Sequence, residues 1–156
     1  MAAQEEDAAQ AGGPPVDRLG FLLAWHGGIT DTLIRKALGA TGLTPRQAMT
    51  LMHLADGPVT QKALIEWLAV DPSVVVGLLN DLETDGLVRR RRDPGDRRRH
   101  IVEITPEGTE RLRTTDTALE TMERELVADL TDRDVATLRR LLGRLRTSAE
   151  DFTCGE

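Results

Sequence analysis

The sequence predicts a mainly helical fold with one small β-hairpin set between its helices. Three observations carry that prediction. Apolar residues recur every three to four positions along most of the chain, as helices with one buried face require. The rhythm gives way to strand-like patterning over Leu87–Arg91 and His100–Thr105. Between those two runs lies Asp93-Pro94-Gly95-Asp96, where Pro followed by Gly suits the middle of a type II turn.

The first helix runs from about Val16 to Leu38. Leu19, Leu22, Leu23, His26, Ile29, Leu33, Ile34 and Ala37 keep its rhythm, and Gly39 and Gly42 end it. Thr44-Pro45-Arg46-Gln47 starts the second: Thr44 caps, Pro45 fits the first turn and Gln47 completes a capping box. That helix carries Ala48, Leu51, Met52 and Leu54 and stops at Asp56-Gly57-Pro58. Thr60 caps a short third helix through Ala63, Leu64, Trp67 and Leu68. Asp71-Pro72 opens a fourth, ending at Gly86, with Val75, Leu78, Leu79 and Leu82 toward the core. After the hairpin, Thr105-Pro106 starts a long helix through Leu112, Leu119, Met122, Leu126 and Leu130. Thr131-Asp132-Arg133-Asp134 caps a last one through Val135, Leu138, Leu141, Leu142 and Leu145. Its acids sit in the first turn and its arginines later, as the helix dipole prefers.

Two short helices, a tight turn and a third helix backed by an arginine hairpin make a winged helix-turn-helix, here about residues 44–105. The flanking helices, about 16–38 and 106–149, are too apolar to stand as lone surface helices. Pairing with a second copy is the simplest way to bury them, and an intrachain bundle is the alternative. Residues 16–149 then form one domain, in keeping with a 156-residue chain. Residues 1–15 are acidic and rich in Ala, Gln and Gly; they lack signal-peptide regions and read as a disordered tail. Residues 150–156 form a C-terminal tail. It holds Cys154, a lone thiol that cannot staple the fold, suits a reducing cytoplasm and reads as incidental rather than as a redox switch. No apolar stretch approaches membrane-spanning length.

Charge carries the functional signal. The chain has a net charge of -6, yet Arg89, Arg90, Arg91, Arg92, Arg97, Arg98 and Arg99 place seven positive charges within eleven residues. Asp93 and Asp96 subtract two, leaving +5 there and -11 elsewhere. A focused patch on an acidic body attracts a polyanion at one place and repels it everywhere else. With two Trp, two Phe and no Tyr, the chain lacks the stacking platforms that single strands need, which tilts the polyanion toward duplex DNA. No catalytic or cofactor-binding constellation is visible. The three His and one tail Cys have no metal-ligand spacing, Gly27-Gly28 lies inside a helix with no strand before it, and no Ser occupies a nucleophile elbow.

On the fourth helix the face opposite the core holds Ser73, Gly77, Asn80 and Thr84, with Val74 and Asp81 beside it. Ser73 and Val74 lie near the end that enters a major groove first; a hydroxyl reaches a phosphate or base edge, and a Val methyl touches thymine. Asn80 has the groups to pair with adenine, or is a plain surface amide. At the hairpin tip, Arg97 and Arg98 suit a narrow minor groove. Trp25, His26, Met52, His53 and Trp67 are candidates for a small-molecule cleft, weighed against ordinary core and surface packing.

Asp71-Pro72-Ser73-Val74-Val75 through Asn80-Asp81-Leu82-Glu83-Thr84-Asp85-Gly86-Leu87-Val88 resembles the recognition helix and wing entry of the multiple-antibiotic-resistance regulator (MarR) family. Arg89 to Arg92, Asp93-Pro94-Gly95-Asp96-Arg97-Arg98 and Val102-Glu103-Ile104-Thr105-Pro106-Glu107-Gly108 resemble its wing and the helix that follows. The resemblance covers about Val16 to Ala149. It implies a triangular homodimer on a near-palindromic operator, a cytoplasmic protein found on the nucleoid when bound to DNA. It also implies repression, often of the regulator's own gene and a neighbour, relieved by a small, often aromatic, ligand in a cleft between dimerisation helices and winged domain. In the family's wing motif Asp96 would orient Arg97 or Arg98 through a charge-assisted pair.

One departure stands out. From Asp71 to Gly86 there is no Lys or Arg, and Asp71, Asp81, Glu83 and Asp85 make the segment -4. Guanine readout by Arg is impossible on this helix. Affinity must lean on the wing, helped by Arg46, Thr60, Gln61 and Lys62 at the earlier helix starts, and DNA shape carries more of the specificity. The same acidity favours the alternative function, a winged helix that docks proteins and binds no DNA.

Overall fold

The structure, a computed structural model, describes residues 16–145. Both tails, with Cys154, and the last four residues of the expected 106–149 span lie outside the described residues. Within residues 16–145, six helices and three strands follow in the order α1 (Leu19–Gly39), α2 (Pro45–Ala55), β1 (Val59–Thr60), α3 (Gln61–Leu68), α4 (Pro72–Thr84), β2 (Val88–Arg92), β3 (His100–Ile104), α5 (Pro106–Leu126) and α6 (Asp132–Leu142). The expected mainly helical fold with a β-hairpin wing is the one observed.

Local chemistry sets the boundaries. Thr44 and Gln47 form the reciprocal capping box, and Thr131 with Asp134 forms a second at α6. Thr60 caps α3 by accepting the Ala63 N–H at 3.1 Å. Between α3 and α4 the chain turns through Ala69, which takes the left-handed conformation at φ 50°. Asp71 then caps α4 by accepting the Ser73 N–H at 2.8 Å. Gly86, at φ 72°, ends α4 and lets the Leu87 N–H return to the Leu82 carbonyl at 2.8 Å.

The sheet has strand order β1-β3-β2 and is antiparallel throughout. β2 and β3 pair from Val88 with Ile104 to Arg92 with His100. β1 adds a third strand that two residues after a proline could not announce. The hairpin tip also differs from expectation. Gly95 does not adopt the positive φ that a type II turn needs. The Asp93 carboxylate accepts the Gly95 N–H at 2.9 Å, and the tight turn forms three residues later, where the Arg99 N–H reaches the Asp96 carbonyl at 2.9 Å.

The core joins α2, α3, α4 and the sheet to the end of α1 and the start of α5. Leu38, Leu51, Leu54, Leu64, Val75, Leu79, Leu82, Leu87 and Val102 are almost fully buried, each worth about 1.5–3 kcal/mol relative to exposure. α5 seats against the base of the wing through Gly108, where a Cβ would lie 2.1 Å from the Leu87 carbonyl oxygen, so a side chain is sterically barred. The terminal helices are different. In α1 only Leu38 is buried, and in α6 nothing is. Leu19, Phe21, Trp25, Leu138, Leu141 and Leu142 are each more than 40% exposed. Among the described residues no single helix is long and apolar enough to cross a membrane.

Candidate nucleic-acid interface

α4 and the hairpin form one continuous surface. α4 buries Val75, Leu78, Leu79 and Leu82, which turns Ser73, Gly77, Asn80 and Thr84 to the outside, with Val74 39% exposed beside them. Ser73 donates its hydroxyl hydrogen to Asp71 at 2.6 Å, and this bond with the Ser73 N–H holds the Asp71 carboxyl below its usual range. The Ser73 oxygen therefore faces solvent as an acceptor.

The seven wing arginines are not equivalent. Arg89 donates through Nε to Glu103 at 2.9 Å, and Arg91 lies 3.6 Å from the other Glu103 oxygen. Glu103 faces Arg89 in the strand register, and Arg89 keeps its carboxyl below the ordinary range. Arg90 reaches back to α4: its Nε donates to Glu83 at 3.0 Å, its backbone N–H to the same carboxylate at 3.2 Å, and its Nη2 to Asn80 Oδ1 at 2.7 Å. The hydrogen bonds from Arg90 lower the Glu83 pKa. Arg99 lies 3.3 Å from Asp96. Arg92, Arg97 and Arg98 make no ion pair among the described residues.

Asp96 thus acts differently from the implied charge-assisted pair with Arg97 or Arg98. Its side chain pairs with Arg99, and it fixes Arg98 by accepting that residue's backbone N–H at 3.0 Å. The carboxylate shapes the turn that presents the arginine, because a short Asp side chain reaches the amide two residues on more easily than a guanidinium projecting outward.

At the start of α3, Thr60, Gln61 and Lys62 line a groove of about 500 Å³ together with Arg98, Arg99 and His100. Lys62 lies 3.8 Å from Glu66 yet stays highly exposed. Arg46 sits in the first turn of α2, partly buried. Sequence reasoning missed Glu83, Glu103 and His100. The first two read as acids near arginines, but only the strand register and the α4–β2 turn show which arginine each neutralises. Of the cleft candidates, His53 and Trp67 stack face to face, with ring centroids 4.1 Å apart and 8° between planes. Met52 packs against the core. Trp25 and His26 are exposed on α1.

Together these features define a winged helix-turn-helix whose outer face carries a recognition helix and a cationic hairpin. A family model described as "MarR family" matches residues 41–99. A putative transcriptional regulatory protein for the hcr operon of Thauera aromatica is 36% identical over 105 residues, 67% of this chain; the matched part spans 63% of that relative's length. A MarR-family transcriptional regulator from Rhodococcus sp. RHA1 superposes with a TM-score of 0.74 at 30% identity, covering 81% of this chain and 94% of that one. A cysteine-to-serine mutant of Escherichia coli MarR in complex with operator DNA gives 0.73 at 27% identity, covering 83% and 94%. CouR from Rhodococcus jostii RHA1, bound to p-coumaroyl-CoA, gives 0.72 at 31% identity, covering 90% and 96%. The chain belongs to the MarR family of DNA-binding transcriptional regulators.

Proposed function

We propose that the protein binds a near-palindromic duplex operator as a homodimer and acts as a repressor released by a small ligand of aromatic character. One observation carries the DNA reading. Among the described residues Arg92, Arg97 and Arg98 stand without ion-pair partners at the outer end of a hairpin, beside the exposed polar face of α4. Guanidinium groups at a projecting tip gain phosphates on meeting DNA, and the counterions of the duplex are released. Thr60, Gln61, Lys62 and Arg46 lie at helix starts, where backbone contacts fix register. The operator complex of the E. coli relative supports this use of the fold.

The dimer reading rests on α1 and α6, each of which leaves several leucines or aromatics exposed, a feature that marks interaction surfaces when such residues are contiguous. A two-fold pairing of these ends would set two wings at half-site spacing. The ligand reading rests on the half-exposed His53–Trp67 stack and on CouR, a relative bound to p-coumaroyl-CoA. With Trp25, His26 and Met52 these residues are offered as cleft walls. Protein docking through an acidic α4 is the weaker reading, since Glu83 and Asp71 are already engaged within the chain.

The deciding experiment combines a gel shift on the DNA upstream of the protein's own gene with sedimentation of the free protein. A discrete complex at moderate salt and a dimer in dilute solution are expected. Absence of a shift, or a stable single subunit, overturns the reading. A thermal-shift series with aromatic acids and their CoA thioesters tests the ligand, because a compound that binds the folded state alone must raise the melting temperature.

A further inference from the structure

α4 has no cation, so its sequence readout falls to its other polar side chains, and the structure constrains one of them closely. Asn80 lies on the outward face between Gly77 and Thr84. Its Oδ1 accepts a hydrogen bond from Arg90 Nη2 at 2.7 Å. Arg90 is itself fixed, with its Nε and backbone N–H both on the Glu83 carboxylate and its side chain only 22% exposed. A guanidinium has donors and no acceptor, so the amide must turn its oxygen to Arg90 and its NH2 away, toward solvent. Gly77, one turn before Asn80, leaves the backbone of this face bare. A Cβ there would meet nothing within 4 Å, so the fold does not require glycine. A mid-helix glycine nevertheless costs about 0.5–1 kcal/mol relative to alanine, a cost explained if an external surface must reach the backbone.

Resting on the DNA-binding reading above, we propose that Asn80 reads the major groove as a donor only, selecting a keto base (guanine or thymine) in each half-site, with Arg90 as the residue that positions it. The bidentate pairing of Asn with adenine needs Oδ1 and Nδ2 turned to the same base edge, one accepting from N6 and the other donating to N7. Arg90 holds Oδ1 toward the wing and so separates the two. The free NH2 finds two acceptors at guanine, O6 and N7, and one at thymine, O4; adenine sets its N6 amino group beside a lone N7 acceptor and so suits a donor-only amide less well, and cytosine offers only its N4 amino group.

The test is bind-and-select sequencing of the full-length protein on a randomised duplex library, with melting temperatures checked for each variant. Wild type should enrich G or T at one position per half-site. Asn80→Ala should lose that preference and bind the wild-type consensus about tenfold more weakly. Asn80→Asp keeps an acceptor for Arg90 and removes the donor, so it should lose the same preference; a purely structural amide would be indifferent to it. Arg90→Ala frees the amide and should admit adenine at that position. Adenine enriched by wild type where Asn80→Ala relaxes, unchanged preferences in either Asn80 variant, or an unaltered keto preference in Arg90→Ala each overturns the proposal while leaving DNA binding intact. A wild-type protein that enriches no sequence overturns both this proposal and the reading beneath it.

Discussion

α4 and the wing meet across Gly86 and divide the charge of the surface unequally. The helix with its flanks carries -4 and no cation; the hairpin carries +5 over its eleven residues. In the folded chain acids of the helix and of the hairpin itself neutralise part of the wing. Glu83 takes Arg90, Glu103 takes Arg89 and draws on Arg91, and Asp96 takes Arg99. Among the described residues, positive charge without an ion-pair partner is left on the hairpin at Arg92 and at the tip, Arg97 and Arg98. The two regions therefore do different work. On the proposed operator the tip would supply attraction to a polyanion without regard to sequence, while the helix would offer groups of fixed polarity to base edges.

The largest way to break this division is to remove charge from the tip. Arg97→Ala together with Arg98→Ala should cost about 1–3 kcal/mol per residue in each half-site, so operator affinity falls by about a thousandfold or more. The slope of log affinity against log salt should flatten by about 0.9 for each phosphate no longer engaged. The melting temperature should hold, because neither side chain has an ion-pair partner among the described residues. Fluorescence anisotropy across a salt series measures both effects. Unchanged affinity and slope would place the binding charge elsewhere.

The helices, their caps and the hairpin were legible in the sequence because each rests on local chemistry. Thr44 with Gln47, Thr131 with Asp134 and the apolar rhythm of α4 act within a few residues. The outward face of α4 followed from the same rhythm. What the sequence concealed was pairing over distance. Glu83 and Arg90 are seven residues apart across a turn, and Arg89 and Glu103 fourteen apart across a hairpin. Seven arginines in a row of letters look alike; register and turn geometry separate the engaged from the others. The tip turn was misplaced for a related reason. Pro94-Gly95 has type II composition, but the Asp93 side chain competes for the Gly95 amide and moves the tight turn onward.

A smaller effect sharpens the comparison from the helix side. Glu83→Gln removes the charge that holds Arg90 and leaves the guanidinium partly available to DNA. Affinity for non-specific duplex should rise several-fold, with a salt slope steeper by about one phosphate's worth per half-site. Operator affinity should rise less, because specific binding already relies on the tip and on the Asn80 orientation that Arg90 maintains. The ratio of specific to non-specific affinity should therefore fall. Fold stability should change by no more than about 1 kcal/mol, since this is a partly solvated ion pair. If the ratio rises instead, Glu83 is not shielding Arg90.

The smallest effect is a pH dependence. Arg90 lowers the pKa of Glu83 in the folded chain, so the carboxylate contributes stability above its unfolded value, near the ordinary 4.5, and that contribution is lost as pH falls through the lowered folded value. Glu103, held down by Arg89, has the same sign. Wild type and Glu83→Gln should thus differ in melting temperature by a constant amount near neutrality, and the difference should shrink toward zero on acidification below the ordinary glutamate range. The shift should be slight, because in each pair one partner keeps contact with solvent. Glu83→Gln also separates the two carboxylates: the acid-dependent loss that survives in the variant includes the part that Glu103 contributes on the far side of the hairpin. A difference that widens on acidification would mean that the Glu83 carboxylate is not stabilised by the wing, and the electrostatic link between helix and hairpin would fail with it.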